Sequence, residues 1–335
     1  MNNTMIVSSS PHLQHTNTTR GIMLDVIISL VPAFIAATVF FGWIVPFVTV
    51  VATAACVFAE WCARKILKRE NTISDLSAAV TGLILALNLP PTLDSVWMGA
   101  LGGVIAVVVV KQLFGGLGQN FANPAMVGRI VLMVSFPTLM TTWVNPLAWI
   151  SGPVDAVSSA TPLAIVGSGT TEGLPSFLNM AIGMRTGCMG ETSAIALLIG
   201  GIYLCIKRVI KPTIPVCFIG TVAAVTIILD LFGVKGMTPD LFGVQILSGG
   251  LFLGAIYMAT DYVTSPITPW GRVIFGIGCG LVTVIIRYFA ALPEGVSYAI
   301  LLMNLLVPHI ERLTVPKPFG TPKKEEKEKK EAAQA

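Results

Sequence analysis

Charged residues are scarce in this chain. Of its 335 residues, 21 are Lys or Arg and 17 are Asp or Glu, so charged residues make up 11% of the sequence, less than half the roughly 25% of an average soluble domain. Hydrophobic residues make up 54%, and the mean hydropathy is +0.81. This balance excludes a soluble globular protein and indicates an integral membrane protein. The net charge of +4 is modest, and its short basic clusters between apolar segments exclude nucleic acid as a partner.

The chain also lacks the residue spacings of metal centres. Its six cysteines include no Cys-x-x-Cys pair, and its three histidines stand at polar segment ends with no pattern of neighbouring ligands. We therefore predict no metal or iron–sulfur cluster bound by this chain alone. Most of the cysteines fall in apolar segments and are interpreted as small packing residues. Cys188 differs, because it lies in a polar stretch before Thr192.

Ten apolar segments are long enough, or nearly so, for the roughly 20 residues that a bilayer core requires. The first 21 residues show no removable signal peptide, so the first segment is expected to remain as an anchor. The third and eighth segments run into proline-containing stretches and are predicted to break inside the membrane. The predicted spans are 22–41, 43–63, 76–90, 96–113, 125–141, 192–207, 213–232, 244–260, 271–289 and 295–311.

The distribution of Lys and Arg predicts the orientation of these segments. With a cytoplasmic N-terminus, twelve basic residues before the tail fall inside and three fall outside, which is a strong positive-inside bias. The C-terminus is then cytoplasmic and the 142–191 segment extracytoplasmic. The inside residues are Arg20, Arg64, Lys65, Lys68, Arg69, Lys111, Arg129, Lys207, Arg208, Lys211, Arg272 and Arg312, and the outside residues are Arg185, Lys235 and Arg287.

A weak internal repeat relates the two halves of the chain. Trp97 aligns with Trp270 at an offset of 173 residues, which also aligns Gly103 with Gly276. Five segments per half is an odd number, so the halves would insert with opposite topology and their broken helices would meet near the midplane. An alternative explanation is that glycine-rich apolar helices resemble one another by composition.

The predicted fold is therefore an all-α integral membrane protein with about ten transmembrane helices in two five-helix inverted repeats. A cytoplasmic segment, 1–21, precedes the first repeat, 22–141. An extracytoplasmic loop, 142–191, joins it to the second repeat, 192–314. Residues 315–335, rich in Lys and Glu, are expected to form a disordered cytoplasmic tail.

The stretch Asp155-Ala-Val-Ser158-Ser159-Ala160-Thr161 is one of the longest polar interruptions in the chain. Serines and a threonine beside Pro162 are typical of an exposed turn-rich loop. The threonine hydroxyl is expected to be accessible to a modifying enzyme, but composition alone favours a plain surface loop of small residues.

This stretch resembles the Dxx(S/T)(G/S)AT signature of proteins that carry FMN on a threonine through a phosphodiester. From residue 7 to about 315 the chain resembles the D subunits of the Rnf complex, a membrane-bound, ion-translocating ferredoxin:NAD oxidoreductase. These subunits are related to the B subunit of the sodium-pumping NADH:quinone oxidoreductase. Three further stretches carry the resemblance: Val7-Ser-Ser-Ser-Pro-His12, Gly115-Gly-Leu-Gly-Gln-Asn-Phe-Ala-Asn-Pro-Ala-Met-Val-Gly128 and Ala259-Thr-Asp-Tyr-Val-Thr-Ser-Pro266.

The resemblance implies FMN attached to Thr161, with Ser158, Ser159 and Ala160 beside its phosphate. A carboxylate would repel that phosphate, so Asp155 is assigned to recognition by the flavin transferase or to a local turn. The implied partners are the other Rnf subunits, including iron–sulfur, NADH-binding and second covalent-flavin subunits, in a cell membrane. The chain would relay electrons but act only within the complex, which moves Na⁺ or H⁺.

A second flavin or ion site is predicted near the cytoplasmic side. The resemblance implies a noncovalent riboflavin in such a place. Its candidate residues are Gly116, Gly118, Asn120, Asn123, Arg129, Asp261 and Thr264. Ordinary structural roles are the alternative, with Asn123 and Pro124 starting the fifth helix and Asp261 capping the broken eighth helix.

A different class of function fits the same architecture. Two inverted repeats with midplane breaks are also typical of a secondary transporter or small-solute channel, and the resembled family is similar in fold to urea transporters. Only the threonine signature separates the two hypotheses, because a permease has no use for a flavinylated threonine.

Overall fold

The structure is a computed structural model that describes residues 18–150, 160–168, 173–232, 240–290 and 294–316. All regular structure in these ranges is helical. The helices are α1 (Thr19–Phe41), α2 (Ile44–Ile66), α3 (Ser77–Leu87), α4 (Asp94–Ile105, continued by a π-helical stretch, Ala106–Gln112), α5 (Pro124–Ser135), α6 (Pro137–Met140), α7 (Pro162–Gly167), α8 (Phe177–Ile182), α9 (Ala194–Ile206), α10 (Thr213–Leu231), α11 (Asp240–Leu247), α12 (Leu251–Leu253, continued by a π-helical turn, Gly254–Met258), α13 (Pro269–Phe289) and α14 (Val296–Thr314).

Six of these helices are long and apolar enough to cross a bilayer: α1, α2, α4, α10, α13 and α14. Their outward faces are apolar as well. On α1, large hydrophobic side chains are exposed at helical spacing: Leu24, Ile28, Val31, Ile35 and Val39. A continuous apolar stripe of this kind is unfavourable in water but suits contact with lipid tails. The prediction of a multi-pass helical membrane protein is therefore confirmed.

The remaining apolar helices are short, and local sequence explains where they end. Helix α3 stops at Leu87, three residues before Pro90, and α12 stops at Met258 before the stretch that leads to Pro266. Both ends agree with the predicted breaks in the third and eighth segments. Helix α5 begins as predicted, because the Asn123 side chain accepts a hydrogen bond from the Ala125 amide.

Two predicted spans are interrupted in ways that the sequence analysis missed. The fifth, 125–141, divides at Phe136 into α5 and α6, because Pro137 disfavours helical backbone in the residue before it. The eighth, 244–260, divides at Gly249 and Gly250, whose φ angles of 70° and 68° are left-handed. Glycine adopts such angles without steric cost, so the chain turns there between α11 and α12.

Glycines allow two pairs of long helices, α2 with α4 and α10 with α13, to pack closely. A Cβ added at Gly103 of α4 would lie 2.7 Å from the Cys56 sulfur of α2, and one added at Gly276 of α13 would lie 2.7 Å from Cys217 Cβ of α10. Membrane helices associate largely through this kind of close packing. The two glycines that align at the 173-residue offset therefore make matching contacts in their own halves.

Replacing Gly200 of α9 by alanine is expected to destabilise the bundle. The added methyl would lie 2.0 Å from the Ser29 carbonyl oxygen and 2.1 Å from the Tyr257 hydroxyl, which joins α12 to α1. Overpacking of this kind typically costs about 1–3 kcal/mol. Gly220→Ala in α10 is the matched control, because nothing lies within 4 Å of its added Cβ. Thermal unfolding in detergent should show a lower midpoint for G200A alone, and equal losses in both variants would contradict the packing argument.

Candidate functional site

Thr161 stands at the start of α7 with its side chain turned inward. Its residue is 6% exposed, and its hydroxyl oxygen accepts a hydrogen bond from the Ala164 amide at 3.2 Å. The preceding carbonyl, of Ala160, accepts a hydrogen bond of 2.9 Å from the Thr186 hydroxyl. The expectation of an accessible threonine on a loop is therefore wrong for this conformation, because α7 and the 183–193 segment cover the hydroxyl. Asp155, Ser158 and Ser159 lie outside the described residues.

A small cavity of about 10 Å³ adjoins Thr161. Its wall includes Arg185 and Glu191 of the 183–193 segment, Ser248 and Glu294, so three other segments meet around the threonine. The space holds about one water molecule. Any aromatic ring attached to Thr161 must therefore lie outside this cavity, while a linking group beside the hydroxyl would face its charged wall.

Behind the cavity lies a cluster of five buried charged residues. We call it the charge cluster; it comprises Arg129, Arg185, Glu191, Arg287 and Glu294. Arg129 of α5 is its centre, with its Nη1 atom 3.2 Å from Glu191 Oε1 and its Nη2 atom donating to Glu294 Oε2. Breaking a buried pair of this kind leaves an uncompensated charge, which is expensive in an apolar interior.

The other two arginines are held by main-chain carbonyls. Arg185 donates to the Thr192 carbonyl at 3.2 Å and to the Glu191 carbonyl. Arg287 donates to the Gln245 carbonyl at 2.5 Å and the Ser248 carbonyl at 2.9 Å. Burial lowers the pKa of Arg185 to about 10, so it stays charged at neutral pH. With both glutamates ionised, three arginines leave the charge cluster with one excess positive charge.

Three potential metal ligands also meet in the charge cluster. The Cys188 sulfur and carboxylate oxygens of Glu191 and Glu294 lie within 4.8 Å of one another. Arg129 contacts this group directly, and its Nη2 atom is 3.2 Å from the sulfur. The guanidinium thus occupies the position that a cation would take. Burial also raises the pKa of the Cys188 thiol well above its usual value, which favours the neutral thiol. These contacts argue against a metal centre here.

A second, larger cavity of about 90 Å³ lies among the ends of α1, α3, α4, α5, α9 and α12. Three of the residues predicted for a second site line it: Asn120, Asn123 and Asp261. Lys111 and Ser77 add polar groups to an otherwise mainly apolar wall. Asp261 is half-buried, and its carboxylate accepts a hydrogen bond of 3.1 Å from the Thr264 hydroxyl.

The other residues predicted for this site lie elsewhere. Gly116 and Gly118 form a turn with φ angles of 107° and 93°, and Gly116 approaches Arg64, whose Nη2 would lie 2.4 Å from an added Cβ. Arg129 points into the charge cluster and not into the larger cavity. Gly116 and Gly118 therefore allow the backbone to turn. Arg129 contacts Glu191 and Glu294 and does not line the larger cavity to which it was assigned.

A line of contacts joins the larger cavity to the charge cluster. Asn123 donates to the Met258 carbonyl at 3.2 Å, and the Asn88 amide lies 4.0 Å from the Met258 sulfur. Asn88 in turn accepts a hydrogen bond of 2.7 Å from Arg129. The ends of both broken helices, α3 and α12, thus lie between the two sites.

Sequence reasoning missed most of the charge cluster. Arg287 falls at a predicted helix end, yet it is 8% exposed, and Arg185 and Glu191 fall in or beside a predicted loop, yet both are buried. One signal in the sequence could have indicated the charge cluster: these are ionisable residues in a chain that has few of them. Ionisable residues inside membrane proteins usually mark a functional site.

Comparison with known proteins places this architecture in a family. The sequence profile described as the NQR2, RnfD, RnfE family matches residues 6–320. The chain is 44% identical over 323 residues to the D subunit of the Na⁺-translocating ferredoxin:NAD⁺ oxidoreductase complex of Acetobacterium woodii, covering 95% of this chain and 96% of that one. It is 42% identical over 327 residues to the D subunit of the proton-translocating ferredoxin:NAD⁺ oxidoreductase complex of Clostridium ljungdahlii, covering 95% and 97%.

A more distant relative matches over almost the same range. The D subunit of the ion-translocating oxidoreductase complex of Escherichia coli is 36% identical over 350 aligned positions, which cover 94% of this chain and 98% of that one. These matches span both halves of the chain, the Thr161 segment and both cavities. The chain therefore belongs to the NQR2, RnfD and RnfE family, as a relative of the D subunits of ion-translocating oxidoreductase complexes.

Proposed function

We propose that this chain is the D subunit of an ion-translocating ferredoxin:NAD⁺ oxidoreductase complex and carries FMN on Thr161 through a phosphodiester. The names of its relatives support the complex. The observation that carries the cofactor assignment is the buried charge cluster, three arginines with two glutamates, whose Arg185 lines the same small cavity as Thr161. The chain would relay electrons as one subunit, while ferredoxin and nicotinamide chemistry belongs to partner subunits. Its other expected partners are an iron–sulfur subunit, a second covalent-flavin subunit and the maturing flavin transferase.

The charge cluster suits the linkage electrostatically. A phosphodiester carries one negative charge, which is costly to bury alone. With both glutamates ionised, the charge cluster carries one excess positive charge, and Arg185 and Thr161 line the same small cavity. A phosphodiester on Thr161 would therefore leave the region neutral. When bound, FMN supplies the electron-accepting chemistry, while the protein positions it and sets the surrounding charge.

The larger cavity is the proposed site of a noncovalent flavin, riboflavin, or of a coupling ion. Asn120, Asn123 and Asp261 offer hydrogen-bonding groups in a wall that is otherwise mainly apolar. A flat ring with polar edges needs this combination. The line of contacts through Met258 and Asn88 would connect a ligand in the larger cavity to the charge cluster beside Thr161.

The proposed arrangement in the membrane has two five-helix repeats of opposite topology. The matching contacts of Gly103 and Gly276 support the repeat. Five of the charges used to predict orientation are buried, namely Arg64, Lys111, Arg129, Arg185 and Arg287. Without these five residues, nine basic residues lie inside and one lies outside, which strengthens the positive-inside bias. Both termini are then cytoplasmic and Thr161 faces the outside of the cell membrane.

The proposed coupling ion is Na⁺ or H⁺. Relatives of nearly equal identity, 44% and 42%, carry names that specify sodium in one case and protons in the other. Moving one charge against the membrane potential takes about 2.3 kcal/mol per 100 mV. The broken helices α3 and α12 are the candidate conduit.

Thr161→Ala is expected to abolish covalent flavin binding. The full chain, produced with the flavin transferase, should give a fluorescent band on a denaturing gel, and the variant should give none because the linking oxygen is absent. Thr186→Ala is the matched control, since this neighbouring hydroxyl bonds the Ala160 carbonyl and should not carry the flavin.

Mass spectrometry of the peptide that contains Thr161 gives the second measurement. The expected mass includes FMN without one water. A dark wild-type band together with an unmodified peptide would overturn the redox assignment and favour a small-solute channel or transporter. A fluorescent T161A band would instead move the attachment to another residue.

A further inference from the structure

An apolar groove lies between α9 and α10, and Phe252 of α12 forms part of its wall. Its volume is about 680 Å³, within the range of about 300–1,000 Å³ that is typical of ligand pockets. No side chain in the wall carries a charge or a hydroxyl group, and the Cys205 thiol is its most polar group. The groove therefore suits a hydrocarbon ligand.

The groove opens on the outer face of the bundle. Ile202 of α9 and Val216 of α10 line it and are 57% and 66% exposed. Water at such an apolar surface is unfavourable. Because α10 is long and apolar enough to cross a bilayer, the open side of the groove is expected to face the acyl chains of the membrane.

One end of the groove is strongly basic. The connection between α9 and α10, 207–212, forms this end and contributes Ile210 to the groove wall. Its three basic side chains are all exposed, and none of them forms a salt bridge within the described part of the chain. We call them the basic cluster; it comprises Lys207, Arg208 and Lys211.

An apolar groove with a basic end matches the chemistry of an anionic phospholipid. Lys and Arg side chains bind phosphate groups, and basic pockets between membrane helices on the cytoplasmic side bind anionic headgroups. A helix of another protein fits less well, because membrane helices associate through small and hydroxyl-bearing side chains. The wall has no hydroxyl group, and its Gly201 already packs against Ile256, which lies 2.9 Å from an added Cβ.

We propose that the groove binds one anionic phospholipid, with an acyl chain between α9 and α10 and the headgroup phosphate at the basic cluster. This site does not depend on the cofactor proposed for Thr161. Ile210 and Ile256 line both the groove and the larger cavity. The bound lipid would therefore lie against a wall of the larger cavity.

Native mass spectrometry of the full chain in a mild detergent tests the headgroup contact. Phosphatidylglycerol should bind the wild type more tightly than phosphatidylcholine with the same acyl chains. Replacing the whole basic cluster by glutamine should weaken phosphatidylglycerol binding by about fivefold for each residue, on the order of 100-fold in all. The matched control is Arg20→Gln combined with Lys68→Gln and Arg312→Gln, which removes the same charge from exposed positions away from the groove and should keep the wild-type affinity.

Gly220→Leu tests the acyl-chain contact. Gly220 lines the groove, and nothing lies within 4 Å of an added Cβ. The leucine side chain should therefore fill the groove without overpacking the bundle. We expect loss of the phosphatidylglycerol adduct at lipid concentrations that saturate the wild type, with an unchanged thermal midpoint in the absence of lipid. Gly220→Ala is the size control and should retain the adduct.

Several results would overturn the proposal. Equal binding of the two lipids, or equal losses in the basic-cluster variant and its control, would exclude a specific headgroup site. Wild-type binding by G220L would place the lipid elsewhere. A photo-crosslinking residue at position 216 should label lipid in native membranes, and an adduct with another polypeptide would assign the groove to a partner protein.

Discussion

Arg129→Leu is expected to lower the free energy of unfolding by about 3–5 kcal/mol, the usual cost of removing one partner from a buried ion pair. Arg129 is the only described cation that contacts both Glu191 and Glu294. It also donates to Asn88 and so connects α5 to the end of α3. Leucine would leave two carboxylates facing each other in an apolar interior, and the Asn88 side-chain oxygen would lose the hydrogen bond from Arg129.

A second substitution identifies the origin of that loss. Arg129→Leu combined with Glu294→Gln removes one of the two stranded carboxylates, so part of the stability should return. Arg312→Leu, at an exposed position near the end of α14, is the control and should change stability by no more than about 0.5 kcal/mol. Chemical denaturation in detergent micelles, followed by tryptophan fluorescence, measures all four proteins. Equal losses for the single and the double variant would mean that Arg129 acts through packing and not through charge.

The helix ends were predictable because the signals that set them are local. Asn123 and Pro124 start α5, and Pro90 follows three residues after the end of α3. Each of these residues lies within about one helical turn of the helix end that it sets. The same holds for the apolar stripe on α1, which repeats at helical spacing.

The partners of Arg129 were not predictable in this way. They come from positions 88, 191 and 294, which are far apart in sequence, and only the folded chain brings them together. The sequence does show ionisable residues in apolar segments, but each of them, taken alone, falls near a predicted helix end. The burial of Thr161 was missed for a similar reason, because most of the residues around its cavity, in the 183–193 segment and at Ser248 and Glu294, are distant in the chain.

Lys111→Met is expected to destabilise the opposite end of the bundle by a similar amount, about 3–5 kcal/mol. Lys111 is 2% exposed and Glu60 is fully buried, and their charged atoms are 2.9 Å apart. Glu60 also accepts a hydrogen bond of 2.6 Å from Gln112, and Lys111 donates one of 2.6 Å to Ser77. The pair therefore holds α2, the start of α3 and the π-helical end of α4 together beside the larger cavity.

The double variant Glu60→Gln with Lys111→Met provides the test of charge. Removing both charges should cost much less than the sum of the two single losses, because buried ion pairs often contribute little net stability compared with neutral groups of similar size. Lys211→Met, at an exposed position, should change little. The measurement is the denaturation midpoint in detergent for the wild type, both single variants and the double variant. Additive losses would show that Lys111 and Glu60 act independently. A coupling of about 0.5–3 kcal/mol would show that the fold depends on the charges being paired, and that each buried charge is tolerated because the other is present.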